Sequence, residues 1–398
     1  MLVIENIGEL FLPEARLLDA YLSIEGDHIV SFGEGPAPKH NGDTLDAGGG
    51  AVIPGLIDAH THLVFAGTRE DEFVHRCAGK SYLEIAKAGG GIQRTVQAVR
   101  DASLDELVEL ALPRLARMLS YGVTTIEVKS GYGLTLRDEI KMLEAVRRLG
   151  ELQPIELVGT YLAAHTLAPE YRDRRKAYID LVVSDELMAR VAEEGLAEFC
   201  DVFCEDSAFT LEESRRVLEK GKEHGLTPKI HADQITQMGA SRLAAEVGAI
   251  TAEHLEHIDE GGIEALAKAS VIGGLLPGCS FYLGVAQAPA RRLLEAGVRL
   301  TVATDYNPGS SVVESLPLTL SIACTQAKMT PEEALTGATA NAADALLRGD
   351  RIGRIARELQ ADLVVLETPN VDQWLYQVGR NAVRAVVKKG RIVYERAP

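Results

Sequence analysis

From Leu2 to about residue 50, apolar and polar residues alternate in short runs. Leu2 to Ile4, Tyr21 to Glu25 and His28 to Phe32 carry the period of two expected of half-buried strands, with Glu25-Gly26-Asp27 as a hairpin turn. Gly48-Gly49-Gly50 closes this segment. From Val52 the texture changes, and apolar runs alternate with amphipathic segments rich in Ala, Leu, Glu and Arg. Strands are predicted over Val52 to Ile57, Val123 to Lys129, Ile155 to Tyr161, Asp201 to Cys204, Pro228 to Ala232, Ala249 to His254, Val271 to Leu276 and Arg299 to Thr304. Helices are predicted between them over Leu104 to Tyr121, Arg137 to Leu149, Leu211 to His224, Ala240 to Val247 and Ala286 to Ala296. About eight strand-helix units over roughly 300 residues is the count of an α/β, (β/α)8 TIM-like barrel. A doubly wound open sheet is the alternative, but no Gly-rich nucleotide fingerprint follows the first strand.

After about residue 350 the pattern returns to strands, from Ile352 onward, through Ala361 to Glu367 and Val383 to Val387, and ending on Arg391 to Tyr394 behind a Lys389-Gly390 turn. Pairing the two chain ends into one small β-sandwich leaves fewer unprotected strand edges than two separate pieces. The expected organisation is therefore residues 1–50 and 349–398 in the sandwich and residues 51–348 in the barrel.

Composition narrows the function classes. The 398 residues are 46% hydrophobic and 25% charged, an ordinary globular balance. Neither a membrane span nor a basic-then-apolar leader is visible, and five cysteines without framework spacing point to a reducing cytoplasm. Cys200 and Cys204 read as small buried hydrophobes. A net charge of -17 argues against nucleic acid and anionic membranes as partners. An anionic small-molecule substrate would need its own local cation in such a field.

Histidine is scarce, ten in the chain, yet most of it gathers at the predicted strand ends and their flanks, where a barrel carries its chemistry. His60 and His62 end the first strand, two residues apart and so on one face. Lys129 precedes Ser130-Gly131-Tyr132-Gly133 after the second strand, and His165 follows the third. His231-Ala232-Asp233-Gln234 ends the fifth, Glu253-His254-Leu255-Glu256-His257 the sixth, and Thr304-Asp305 the eighth. His60, His62, His231 and Asp305 would place three imidazoles and one carboxylate around one ion with a position left open for water. An ion so held lowers the pKa of bound water towards roughly 7, and Asp305 is placed both to ligate and to take the water's proton. His254 would then polarise a substrate carbonyl. The alternatives are a helix N-cap role for Asp305 and a backbone-bonded buried histidine for His254.

The run Pro54-Gly-Leu-Ile-Asp-Ala-His-Thr-His62, with His231, His254 and Thr304-Asp305, resembles the amidohydrolase superfamily over essentially the whole chain. Six further motifs narrow that resemblance: His62 to Arg69, Ala88 to Ile92, Glu127 to Leu134, Ala163 to His165, His231 to Gln234, and Asp305 to Ser310. They resemble the branch that opens 4-imidazolone-5-propionate to N-formimidoyl-L-glutamate in histidine degradation. The resemblance implies one zinc or iron ion per subunit on His60, His62, His231 and Asp305, and a homodimer. It also implies substrate contacts from Arg69, Tyr132, His165 and Gln234, with Asn307, Gly309 and Ser310 on substrate or product. Arg69 would grip the propionate bidentately, unless it is held in a surface salt bridge with Glu70 or Glu72. Tyr82 is a further substrate candidate, Gly89-Gly90-Gly91 could hinge a loop over the site, and Gly131 and Gly133 could let backbone approach the ligand.

The nearest rival is a deaminase of a nucleobase-like ring, another mononuclear enzyme of a small heterocycle. Such enzymes resemble this layout but carry Glu where this chain has Gln234, which cannot shuttle a proton. A binuclear cyclic amidohydrolase would need a Lys ending the fourth strand, where the chain reads Cys204-Glu205-Asp206. A scaffold without catalysis is the reading from another class, and the intact ligand set argues against it.

Overall fold

A computed structural model of the chain describes residues 1–12, 14–80 and 90–397. Its strands, in chain order, are β1 (Leu2–Phe11), β2 (Arg16–Glu25), β3 (His28–Glu34), β4 (Asp43–Asp46), β5 (Val52–Pro54), β6 (Leu56–Asp58), β7 (Val123–Lys129), β8 (Glu156–Ala164), β9 (Phe199–Cys204), β10 (Thr227–Ala232), β11 (Thr251–His254), β12 (Ile272–Leu275), β13 (Leu300–Val302), β14 (Leu363–Leu366), β15 (Val383–Lys388) and β16 (Arg391–Glu395). Strands β6 to β13 pair in sequence order and all in parallel, with helices between them on the outside. The first and eighth strands close the ring just past their ends, through a Thr61–Tyr306 bridge and backbone bonds from Asp305 to His60 (3.1 Å) and from His62 to Tyr306 (2.9 Å). The molecule therefore has the expected (β/α)8 barrel.

The remaining strands form one sheet in the order β16-β15-β14-β5-β1-β2-β3, with β4 beside the first half of β1. Both chain ends contribute, and the sheet has its own apolar cluster that includes Ile4, Leu22 and Leu45 with Leu363, Val365 and Val387. The predicted strand over Val52 to Ile57 is in fact two. Gly55 separates them, giving β5 to the terminal sheet and β6 to the barrel. It passes so near Thr124 that a Cβ would lie 2.4 Å from the threonine Oγ1. Residues around Ile352 form turns, not a strand, and Ile352 instead buries its side chain beside Ala342 and Leu346. The helix predicted from Ala286 begins at Ala290, behind a separate helix over Pro277–Leu283.

Helix starts follow from capping chemistry. Ser103 with Glu106, Thr210 with Glu213, and Thr330 with Glu333 form reciprocal capping boxes that satisfy orphan amides at three helix N-termini. These helices bury their apolar faces on the barrel, and the strand C-terminal ends are left free to carry polar side chains.

Candidate metal centre and substrate pocket

Asp58 ends β6 as a fully buried carboxylate that accepts bonds from the Thr304 amide (3.0 Å) and hydroxyl (2.6 Å). That tie, with the backbone bonds across the closure, sets the residues after β13 against those after β6. Asp305 Oδ1 thus lies 3.5 Å from His60 Nε2 and 3.6 Å from His62 Nε2. Four tetrahedral donors held about 2.1 Å from an ion would lie about 3.4 Å apart. His231, on β10, brings its ring centroid to 4.6 Å from that of His60, and His254, ending β11, to 5.3 Å from that of His231. Donor atoms of His60, His62 and Asp305 fall within 4.8 Å of one another, as do those of His60, His231 and His254. His60 is common to both groups.

The Nε2 atoms of His60 and His231 are buried without a hydrogen-bond partner among the described residues, and their Nδ1 atoms, though close to carboxylates, make no well-aligned hydrogen bond either. Two orphaned imidazole nitrogens facing a carboxylate are costly unless a cation satisfies them, and the donor set fits a metal ion. Their Nδ1 atoms face outward to carboxylates, His60 to Glu253 Oε2 at 2.7 Å and His231 to Asp201 Oδ2 at 3.0 Å. Such contacts fix which nitrogen is left for the ion. The backbone also departs from the ordinary here: His254 and Leu255 have φ of 81° and 69°, and Asp305 has φ of 52°. Consecutive left-handed residues with side chains cost energy and persist where the fold over-determines them.

Charge follows from these contacts. Burial works to lower the His60 imidazole, but Glu253 and Asp305 outweigh it and hold it up at about 9. Burial pushes Asp305 up, and the imidazoles of His60, His254 and His231 bring it below its ordinary value. His62 is driven well down, first by burial and then by the neighbouring imidazoles. His165, stacked on His62 at 4.9 Å, is lowered to about 3 by burial and stays neutral.

A cavity of about 240 Å³ opens above this cluster, and Arg69, Tyr132, His165, Gln234, Asn307, Gly309 and Ser310 all line it, together with His62, His231, His254 and Asp305. The structure therefore gathers the sequence-predicted residues around one space. Tyr82 and Gly89 lie outside the described residues. Of the two readings of Arg69, the salt bridge with Glu72 is present (Nε to Oε1 3.0 Å, Nη2 to Oε2 2.7 Å), and the same side chain lines the cavity.

The Amidohydrolase family profile matches residues 51–393. An imidazolonepropionase of Fusobacterium nucleatum subsp. nucleatum is 45% identical over 411 residues, covering 99% of both chains. One from Geobacillus kaustophilus is 50% identical over 351 residues, 88% of this chain and 82% of that one. The chain belongs to the imidazolonepropionase family of amidohydrolases. Among solved structures, a 5-methylcytosine deaminase from Klebsiella pneumoniae superposes with a TM-score of 0.78 over 100% of this chain and 98% of that one, at 18% identity, which speaks for the fold.

Several details of this imidazolonepropionase-family site differ from the reading of the motifs. Asn307 uses all its side-chain bonding capacity inside the loop: Nδ2 donates to the Asp305 carbonyl (2.7 Å) and Ser310 Oγ (2.9 Å), and Oδ1 accepts from the amides of Gly309 and Ser310 (both 2.8 Å). It shapes the turn after Asp305. No helix starts near Ser310, so Asp305 is not an N-cap; the next helix begins at Leu316, capped by Ser315. Gly131, with φ of 106°, is small for His165, whose Cβ would stand 2.9 Å from an added Cβ, and Gly133 is small for the Asp138–Glu139 backbone. Neither is shown against ligand space.

The residues that the motifs did not single out are mostly buried carboxylates. Glu72 accepts from Arg69 and the Gly91 amide (2.8 Å). Glu139 accepts from the amides of Gly131, Gly133 and Leu134 at 3.0, 2.8 and 2.7 Å. Glu205 accepts from those of Ile235 and Thr236. Each of these acids anchors a loop that carries a cavity-lining side chain. In the sequence they sit on helices or in loops, where an acid ordinarily faces solvent. Asp201, Glu253 and Lys129 did carry a signal, as charges inside otherwise apolar strand runs.

Proposed function

We propose that this protein hydrolyses the cyclic amide of 4-imidazolone-5-propionate to N-formimidoyl-L-glutamate, the ring-opening step of histidine degradation, with one zinc or iron ion per subunit on His60, His62, His231 and Asp305. The observation that carries the reading is the convergence of buried, unpartnered imidazole nitrogens and a carboxylate beneath a cavity that holds an arginine fork. A small heterocycle with an acidic arm matches both ends of that space.

A divalent ion in this pocket supplies Lewis-acid activation, bringing the pKa of water towards about 7. The chain's own groups do the rest. Asp305, held below its ordinary carboxylate value, takes the proton of the attacking water and returns it to the ring nitrogen as the C–N bond breaks. His254 faces the oxygen on which negative charge develops. The Nε/Nη2 edge of Arg69 is taken by Glu72, and the Nη1/Nη2 edge, whose Nη1 bonds no side chain among the described residues, would take the propionate. Burial keeps the Tyr132 hydroxyl protonated, so that it serves as a donor. Gln234 can bond but cannot exchange a proton, which favours ring opening over deamination.

The substrate is an anionic small molecule, and the acidic surface argues against nucleic acid and anionic membranes as partners; no helix among the described residues is long and apolar enough to cross a membrane. A homodimer in the cytoplasm completes the proposal. Incubating the purified protein with 4-imidazolone-5-propionate should yield N-formimidoyl-L-glutamate, with activity lost to a chelator and restored by Zn²⁺ or Fe²⁺. Release of ammonia in place of ring opening would replace this reading with the deaminase one.

A further inference from the structure

Five fully or almost fully buried charges lie below the candidate metal centre, on four strands of the barrel: Glu127 and Lys129 of β7, Asp201 of β9, Lys229 of β10 and Glu253 of β11. Lys129 is at their centre. Its Nζ lies 2.9 Å from Glu127 Oε1, 2.8 Å from Asp201 Oδ2 and 2.9 Å from Glu253 Oε2. Two of those oxygens also face the metal imidazoles: Asp201 Oδ2 meets His231 Nδ1 and Glu253 Oε2 meets His60 Nδ1. One ammonium thus touches the very atoms that orient two imidazoles on different strands. Lys229 differs, lying 2.8 Å from Glu127 Oε2 but 3.6 Å from Glu253 Oε1, and so it reaches neither imidazole-facing oxygen.

We propose that Lys129 is a positioning residue for the metal centre, an internal cation that locks Asp201 and Glu253 together so that His60 and His231 present their Nε2 atoms to one point. The inference rests on the proposed ligand set. Buried carboxylates without a counter-charge repel and turn away from one another. That movement takes each carboxylate away from the imidazole Nδ1 it faces, and loss of such outer partners typically weakens metal affinity about 10–100-fold. A lysine is suited to the task because three donors on one small head can serve three carboxylates at once.

The test is the affinity of the full-length protein for Zn²⁺ alone, read by competition with a chelator, so that the readout does not depend on turnover. Lys129→Met is expected to weaken Zn²⁺ binding about 10–100-fold. Because an unpaired buried acid could impair folding, the double variant Lys129→Met with Glu127→Gln removes one charge of each sign and leaves both imidazole-facing carboxylates in place. It should fold, by circular dichroism, and still bind Zn²⁺ weakly. Lys229→Met should weaken Zn²⁺ by less than about three-fold. Unchanged affinity in a folded Lys129 variant overturns the proposal, and so does an equal loss in Lys229→Met, which would assign the effect to general packing of the barrel floor. If the unmodified protein itself fails to take up one Zn²⁺, the ligand set is wrong and the proposed function falls with it.

Discussion

Arg69 forks onto Glu72, and in the proposed complex it would also hold the carboxylate arm of the substrate, so its value to binding would depend on that division. A charged hydrogen bond contributes about 1.5–3 kcal/mol, so Arg69→Met, which keeps the apolar stem, should lower kcat/KM about ten- to a hundred-fold. An imidazolone without the propionate should be a poor substrate for both proteins and nearly indifferent to the change. Equal kcat/KM for the propionate substrate would return Arg69 to a purely structural pair with Glu72. Gly309 adds a steric limit, since a Cβ there would stand 2.2 Å from Arg69 Nη1. Across the cavity, Gln234→Glu should leave ring opening no faster, because a second negative charge would sit beside an anionic substrate; a faster variant would show that proton transfer at this position limits the reaction. Asp305→Asn should retain part of its metal and lose turnover, measured as ion content against rate, and normal turnover would remove Asp305 as the base. The gathering of His60, His62, His231 and Asp305 was legible in the sequence because strand period and strand end are both one-dimensional properties. Glu72 was read only as a surface partner of Arg69, since nothing in its neighbours along the chain shows that Gly91 will come to lie against it.

The loop after β7 shows how an element carries a side chain it does not bond to. Residues 131–134 turn back with φ of 106° at Gly131 and 56° at Leu134, and the buried carboxylate of Glu139, in the first turn of the following helix, collects three of their amides. Tyr132 is thereby fixed at the cavity wall. Glu139→Gln replaces an acceptor-only group with an amide that must donate from one end, and it should lower kcat/KM about ten-fold, with metal content unchanged. Steady-state kinetics beside ion analysis would check this, and unaltered kinetics would mean that the loop holds itself. Strand identity at this scale was largely readable, with Val123 to Lys129 matching β7 at both ends. Boundaries failed where tertiary contacts decide. Val52 to Ile57 is one apolar run, but the close approach of Gly55 to Thr124 cuts it, and half of it pairs with β14 from the far end of the chain. An apolar run alone cannot say which of two sheets it will join.

That cut makes the terminal sheet and the barrel mechanically one body. β5 and β6 are separated by a single residue, whose amide donates to Asp362 (2.7 Å) beside β14, while the next amide donates to Gly122 (3.0 Å) before β7. Lys388 of β15 reaches Asp362 at 2.7 Å and Thr125 of the barrel at 3.5 Å. One apolar cluster also spans both parts, with Ile53, Val364, Leu366 and Val386 packed among barrel residues such as Leu56, Val123 and Ile126. A sheet that shares its core and its chain crossing with the barrel cannot open without exposing both, so calorimetry should find one unfolding transition. The ion enters the same balance. On the proposed ligands it would bind the folded chain, where the ends of three strands bring them together, and the unfolded chain only weakly, so at a free concentration one hundred times its Kd it would add about 2.7 kcal/mol. Stripping the ion should therefore lower Tm by several degrees with the single transition preserved, and added Zn²⁺ should restore it. Two transitions, with only the upper one moved by metal, would show that the sheet and the barrel unfold independently, and the coupling assigned to Gly55 and Lys388 would be lost.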